Sequence, residues 1–262
     1  PFKHIDSAYN NVRYYEITTK QLQPINWLHN YLETSLSQVP KMFQQPEILR
    51  QTLNSTTFYH ALNVEARAPI RLPQPMKPAD LPGKDGEEIA PLLYSLRETD
   101  SDRFETIEDT LRAAFPSFRQ LNFPPVAAGM IGMTWQDRNF GSFTMNQLSE
   151  GTLRFLWLAA LLLSPGLSAI TMIDEPEVSL HPELLSHLAD LFRESSRRSN
   201  IIIATHSDRL IRFLNPQEVV VMDMNDEGFA EPRWADTLDI EHWLEDYTLD
   251  QIWQKGKLGG RA

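Results

Sequence analysis

Short apolar strands that alternate with helices in the second half of the chain constrain its fold most. The segments 169–173, 201–204 and 218–223 are short runs rich in isoleucine and valine, and helical patterns follow the first two, at 182–198 and 208–214. Strands that are apolar along their whole length are typical of a parallel sheet covered by helices on both faces. The sequence therefore predicts an α/β fold with a mostly parallel sheet.

The first half of the chain has a less regular pattern. Residues 11–17 mix aromatic and β-branched residues and predict a strand. Apolar periodicity predicts helices over 22–36, from Glu87 onward and over 102–115. Five prolines lie within 68–83, which we interpret as an exposed connecting loop rather than a regular element.

Composition narrows the classes of function. The chain has no cysteine, which excludes disulfides, zinc–thiolate sites and cysteine nucleophiles and fits a reducing compartment such as the cytoplasm. A net charge of −11 disfavours a mainly electrostatic nucleic-acid binder. The longest nearly apolar run, 153–163, is far shorter than the roughly 20 residues of a membrane span, so no membrane association is expected.

Polar residues follow two neighbouring predicted strands. Asp174 and Glu175 end the first strand, and Thr205, His206 and Ser207 follow the second. Ligands of parallel sheets bind beyond the carboxyl ends of the strands. One carboxylate suits Mg²⁺, the other can orient an attacking water, and a histidine beside them can contact a phosphate oxygen. The alternatives are two solvated acids and a structural histidine.

A third polar group precedes the apolar helix predicted over 153–163. The segment LSEGT, residues 148–152, places the hydroxyl of Ser149 and the glycine Gly151 at a helix N-terminus. Backbone N–H groups and the helix dipole attract anions at such a position. The alternative interpretation is an ordinary helix cap made by Ser149.

Together these motifs resemble those of ABC-type ATPases in the RecF, OLD and SMC-like branch. LSEGT resembles the signature motif, AITMIDEPE the Walker B strand, SLHP the D-loop and IIIATHS the switch-histidine motif. The segment DEPEVSLHPELL is very similar to the DEPE-x-x-LHP form of predicted RecF-like ATPases of bacteria. The match is specific between 143 and 214 and implies an ABC-ATPase-like P-loop NTPase core with a helical signature subdomain.

The resemblance implies roles for three residues at the strand ends. Asp174 matches the Walker B aspartate that supports Mg²⁺, and Glu175 matches the general base that polarises the attacking water. His206 matches the switch histidine near the γ-phosphate. ATP and Mg²⁺ are therefore the expected cofactors.

The resemblance also implies a site shared between two subunits. Ser149 and Gly151 match signature residues that grip the γ-phosphate of ATP bound to a second copy of the domain. Ser179 and His181 fall in the D-loop, which crosses the dimer interface in this family. Glu150 departs from the family pattern, because it replaces a glycine of the signature motif.

The phosphate loop of these ATPases, G-x-x-x-x-G-K-[ST], does not occur in the 262 residues. The Gly-Lys pairs at 83–84 and 256–257 are followed by Asp85 and Leu258, which lack the hydroxyl that would bind Mg²⁺. In the family this loop precedes the signature motif. We therefore expect the N-terminal lobe to come from outside these residues, and we expect this chain alone to bind ATP weakly or not at all.

We expect three regions: an intervening region over 1–140, a signature and Walker B lobe over 141–225, and a helical tail over 226–262. The resemblance implies an SMC/RecF-like ATPase that serves DNA maintenance or anti-phage defence, with DNA or a separately encoded nuclease as partner. One alternative is a catalytically silent dimerisation module, which the missing loop favours. Another is a metal-dependent nuclease that uses Asp174 and Glu175 together with Glu177.

Overall fold

A computed structural model describes residues 4–8, 11–25, 27–30, 32–225 and 227–259. The chain forms two compact units. The first unit contains residues 1–57 with 168–170, and the second contains 58–167 and 171–262.

The elements follow one another in mixed order along the chain. The strands are β1 (Ile5–Ala8), β2 (Asn11–Glu16), β3 (Gln21–Pro24), β4 (Thr57–Tyr59), β5 (Gln74–Pro75), β6 (Phe118–Asn122), β7 (Pro125–Val126), β8 (Met130–Ile131), β9 (Thr134–Asp137), β10 (Gly141–Thr144), β11 (Ile170–Asp174), β12 (Asn200–Ala204), β13 (Val220–Met224) and β14 (Ala230–Trp234). The α-helices are α1 (Gln44–Asn54), α2 (Ile89–Thr99), α3 (Ser101–Ala114), α4 (Glu150–Leu163), α5 (Leu184–Ser196), α6 (Asp208–Ile211), α7 (Glu241–Leu244) and α8 (Leu249–Gln254).

The first unit is built on an antiparallel sheet of order β1-β2-β3. Its small core consists of Val12, Tyr14 and Val39, and the Tyr14 ring stacks on that of Trp27 with centroids 5.1 Å apart. The predicted strand over 11–17 is confirmed as β2.

The helix predicted over 22–36 is wrong. Leu22 lies in β3, where it pairs with Tyr15 of β2, and turns and irregular backbone follow in the described residues. Leu28 and Leu32, which gave the helical periodicity, are 98% and 96% exposed. Prolines at positions 24 and 40 flank most of this segment. At its start, strand pairing outweighed the weak helical periodicity of its apolar residues.

The second unit contains a sheet of order β12-β11-β4, with α5 connecting β11 to β12. Helix α4 packs against α3 and α5. Ten of its residues are buried, from Leu153 to Leu163 with the exception of Arg154, because the helix is apolar nearly all round. The buried helix and the two strands predicted at 169–173 and 201–204 are confirmed.

The third predicted strand, over 218–223, forms β13 but lies outside that sheet. It pairs antiparallel with β14 in a two-stranded ribbon. Among the described residues, β12 has β11 as its one strand neighbour and is an edge of its sheet. Ile202 in β12 is 49% exposed, which is unusual for a strand of three consecutive isoleucines.

The proline-rich segment 68–83 is mostly irregular, as predicted, but it is not simply exposed. Ile70 and Gln74 are buried. The Gln74 amide donates to the carbonyl of Gly86 at 2.6 Å and accepts from the Ala90 N–H at 2.9 Å. These bonds attach the segment to the start of α2, so it is a packed connection.

The C-terminal helices have a core of their own. Ile211, Val221, Ile252 and Leu258 belong to one buried cluster, which joins α6, β13 and α8. The part of the chain covered by the structure contains no helix that is long and apolar enough to cross a membrane.

An ion pair holds α5 to the segment before β13. The guanidinium of Arg193 donates to both carboxylate oxygens of Glu218, from Nε at 2.9 Å and from Nη2 at 3.0 Å. These bonds lower the pKa of Glu218 from its ordinary value of 4.5. A carboxyl with a lowered pKa stabilises the fold above its unfolded pKa, and this stability is lost as pH falls through the folded pKa.

We therefore expect Glu218→Gln to lower the free energy of unfolding by about 0.5–1 kcal/mol near neutral pH. The difference from wild type should shrink as pH falls below 4.5, because wild type then loses the same contribution. Urea denaturation at several pH values measures this. Glu194→Gln, at an exposed ion pair with Arg197, is the matched control. A difference that stays constant from neutral to acid pH would contradict this assignment.

Candidate functional site

The carboxyl ends of three strands meet at one edge of the sheet. The N–H of Glu175, directly after β11, donates to the carbonyl of Ala204, the last residue of β12, at 2.8 Å. On the other side of β11, Asp174 lies beside His60, which directly follows β4. Since all three strands end at this edge, they are parallel, and the residues that follow them share one surface.

Asp174 and His60 face each other at this edge. The Nδ1 atom of His60 lies 3.7 Å from Oδ2 of Asp174, and both side chains are partly open to solvent. Sequence reasoning missed His60, because a single histidine after the short strand β4 matches no motif. The half-exposed carboxylate of Asp174 is an oxygen ligand of the kind that a hydrated Mg²⁺ uses, so the predicted metal role fits its position.

The backbone of Glu175 is strained. Its φ is +44°, and Ser179 four residues later has φ +62°, so two residues with side chains occupy the left-handed region within one short loop. This conformation costs about 1–2 kcal/mol for a residue other than glycine. Such strain clusters at functional sites. The exposed side chain of Glu175 is thereby held beyond the strand end.

Glu177 connects the loops that follow β11 and β12. The Thr205 hydroxyl donates to Oε1 of Glu177 at 2.5 Å and accepts from the Ser207 N–H at 3.0 Å. The buried Oε2 of Glu177 has no hydrogen-bond partner in the described part of the chain. Glu177 therefore holds the loop that carries His206.

His206 is exposed, and the side chains of its two chain neighbours make hydrogen bonds within the protein. Thr205 is bonded to Glu177, and the Ser207 hydroxyl caps α6 by accepting from the Leu210 N–H at 3.3 Å. Both neighbours are therefore held by hydrogen bonds, and His206 lies two residues after Ala204, the end of β12 that is bonded to Glu175. The structure brings the three predicted strand-end residues to one edge; their chemical roles stay predictions.

The start of α4 has the geometry of a helix cap. The Ser149 hydroxyl accepts from the Thr152 N–H at 3.1 Å, and the two hydroxyl oxygens are 2.7 Å apart. Ser149 and Glu150 are exposed. The cap leaves the outer face of this helix start open, so the predicted phosphate contact is compatible with it.

Gly151 meets Ser179, a residue of the loop after β11, at very close range. A Cβ on Gly151 would lie 2.6 Å from the Ser179 carbonyl oxygen, which leaves room for glycine alone. The first turn of α4 therefore rests on the loop after β11. His181 lies further along, and its contacts are to Glu183, whose N–H donates to its Nδ1 at 3.4 Å.

A small, shallow depression lies against Asp174 and Glu175. Its other lining residues are His60, Ala61, Leu62, Arg154, Trp157, Leu158, Ile173 and Pro176. Burial lowers the pKa of the Arg154 guanidinium, and Glu150 one turn earlier partly offsets this. No described group bonds to its buried Nε. The sequence signal for Arg154 was a lone cation in an apolar helix.

The three carboxylates named for a nuclease do not form a metal cluster. Within the described ranges, no group of three or more His, Asp or Glu side chains is arranged to hold a metal ion. Glu177 is instead engaged by Thr205. The geometry therefore gives the nuclease interpretation no support.

A family model described as "AAA domain, putative AbiEii toxin, Type IV TA system" matches residues 32–212, well over half of the chain. The chain belongs to this family. The match confirms the predicted kinship with ATPase domains and includes the strand ends and the start of α4. The finer assignment to the RecF and OLD branch stays a prediction.

This AAA domain also resembles a curated relative, the Retron Ec83 probable ATPase of Escherichia coli. The two are 25% identical over 153 residues, which make up 54% of this chain and 27% of the relative. The matched part thus spans about a quarter of the relative's length.

Solved structures of SMC proteins are similar over part of the chain. One, from work titled "Structural biochemistry of ATP-driven dimerization and DNA stimulated activation of SMC ATPases", has a TM-score of 0.44 and 16% identity, and covers 62% of this chain and 97% of that one. A second is an SmcHead bound to the C-winged helix domain of ScpA, with a TM-score of 0.47 and 16% identity over 66% of this chain and 54% of that one.

Proposed function

We propose that this sheet edge is one half of an ATP-hydrolysing site. The observation that carries the proposal is the bond between Glu175 and Ala204, which joins the two polar strand ends while Glu175 is held in a left-handed conformation. Asp174 supports Mg²⁺, Glu175 is the general base and His206 contacts the γ-phosphate.

The proposed reaction is attack of water on the γ-phosphorus of ATP. Glu175 orients this water and accepts its proton as the bond to phosphorus forms and the bond to the bridging oxygen of ADP breaks. His206 stabilises charge on the γ-phosphate oxygens. Mg²⁺ bound at Asp174 would neutralise further negative charge on the phosphates.

The proposed site is completed by a second copy of the domain. Ser149 is exposed at the N-terminus of the 14-residue helix α4, where its hydroxyl and the helix dipole favour an anion. Gly151 couples this helix start to Ser179 in the same chain. We propose that Ser149 and Gly151 hold the γ-phosphate of the partner's ATP, and that Ser179 and His181 lie at the dimer interface.

The phosphate loop is proposed to belong to a further lobe outside these 262 residues. The open edge of β12 supports this, because an apolar edge strand invites the addition of another strand. Ile202 on that strand is 49% exposed in the structure.

We propose the biological role of the protein from the name of a similar protein. The similar protein of Escherichia coli is a probable ATPase of a retron. We propose a role in DNA maintenance or anti-phage defence in the cytoplasm, with DNA or a separately encoded nuclease as partner.

Phosphate release from Mg-ATP by the full-length protein tests the proposal. Turnover that depends on both Mg²⁺ and protein concentration is expected, since two copies form the site. ATP-dependent dimerisation without phosphate release would instead favour the catalytically silent dimerisation module.

A further inference from the structure

His60 and Asp174 are separated by a distance that suits a shared cation. The 3.7 Å between Nδ1 and Oδ2 is longer than a hydrogen bond, which spans about 2.7–3.2 Å. Two neighbouring ligands that each lie about 2.1 Å from one metal ion are about 3.0 Å apart in an octahedral site and about 3.4 Å apart in a tetrahedral one, so a small side-chain movement would bring this pair to one ion. The pair therefore leaves the room that a bridging ion needs.

The imidazole of His60 packs against a neighbouring aromatic ring and is open to solvent. The His60 ring contacts the Phe58 ring edge-on, with centroids 4.5 Å apart and an angle of 77° between the planes. His60 and Asp174 side chains are 75% and 43% exposed. A hydrated cation can therefore reach both atoms from solvent without a rearrangement of the strands.

We propose that His60 is a second protein ligand of the divalent cation that Asp174 binds. This inference rests on the proposed function, because the cation is that of the proposed ATP site. No third His, Asp or Glu of the described residues completes a cluster there. The remaining coordination positions are left to water and phosphate oxygens, as is usual for cations in nucleotide sites.

A nitrogen ligand changes the metal preference of such a site. Imidazole suits first-row transition metals better than Mg²⁺, whose preferred ligands are oxygens. The site should therefore accept Mn²⁺ at least as well as Mg²⁺. In His60→Gln, where an amide oxygen replaces the imidazole, that preference should move toward Mg²⁺.

Pulsed electron paramagnetic resonance of the full-length protein with Mn²⁺, without nucleotide, tests the proposal. Wild type should show coupling of Mn²⁺ to a ¹⁴N nucleus. His60→Gln should lose this coupling and bind Mn²⁺ roughly tenfold more weakly. His206→Gln is the matched control and should keep the coupling. Unaltered melting temperatures would show that the variants fold.

Three results would overturn the proposal. The first is an unchanged ¹⁴N coupling in His60→Gln, and the second is Mn²⁺ that binds to wild type without such coupling. The third is the absence of Mn²⁺ binding that depends on Asp174. Phosphate release is measured separately. Hydrolysis together with either of the first two results would reject the role of His60 and leave the proposed function standing. Loss of the coupling in His60→Gln without any hydrolysis would support the metal site and contradict the proposed function.

Discussion

Glu175→Gln is expected to lower ATP turnover by about 100-fold or more while ATP binding is kept. The amide has nearly the shape of the carboxylate, but it cannot accept the proton of the attacking water. Phosphate release and equilibrium nucleotide binding by the full-length protein measure the two effects separately. Glu98→Gln, an exposed carboxylate on α2, is the control and should leave turnover unchanged. Unchanged turnover in Glu175→Gln would remove Glu175 from the reaction.

The strained backbone of Glu175 allows a second test at the same position, in which the free energy of unfolding is measured. Its φ of +44° costs a glutamate free energy that glycine avoids. Glu175→Gly should therefore be as inactive as Glu175→Gln and about 1 kcal/mol more stable than wild type. This combination is expected of a residue that is kept for function at the expense of stability. A less stable Glu175→Gly would show that the side chain supports the fold.

Gly151→Ala is expected to destabilise the protein, although alanine is normally the better helix former. The added methyl group would lie 2.6 Å from the Ser179 carbonyl oxygen, a backbone atom, so the helix start or the loop must move. Overpacking of this kind costs about 1–3 kcal/mol. Thermal unfolding followed by circular dichroism measures the loss as a lower melting temperature.

Gly132→Ala is the matched control, because a Cβ at Gly132 would meet its nearest neighbours at an ordinary 3.5 Å. Its melting temperature should stay close to that of wild type. Gly151→Ala should also lower ATP turnover, since Ser179 shares the strained loop with Glu175. A melting temperature equal to or above that of wild type would contradict the close packing of α4 on this loop.

The elements that carry the site were predictable because their patterns are strong. Helix α4 is apolar on nearly every face, and the strands β11 and β12 are short apolar runs that end in polar residues. The helix predicted over 22–36 failed because Leu28 and Leu32 are exposed, so its apolar spacing reports no buried face. The spacing of apolar residues alone could not distinguish the buried helix α4 from the exposed segment 22–36.

The contacts within the site were much harder to predict. His60 lies 114 positions before Asp174 in sequence, and their proximity follows from the sheet order β12-β11-β4, which no local pattern contains. Arg154 was visible as a charge in an apolar helix, but its place beside Asp174 required the packing of α4. The role of Gly151 as a contact to Ser179 likewise depends on two distant segments.

Mixing two inactive variants of the full-length protein tests the shared ATP site most directly. Ser149→Arg should block the helix start that faces the partner's nucleotide, and Glu175→Gln should remove the base. Each variant alone should be inactive, whereas an equal mixture should recover up to about a quarter of wild-type phosphate release, because half of the two-fold dimers then contain one intact site. A mixture as inactive as its components would contradict a site built from the Glu175 edge of one copy and the Ser149 helix of another.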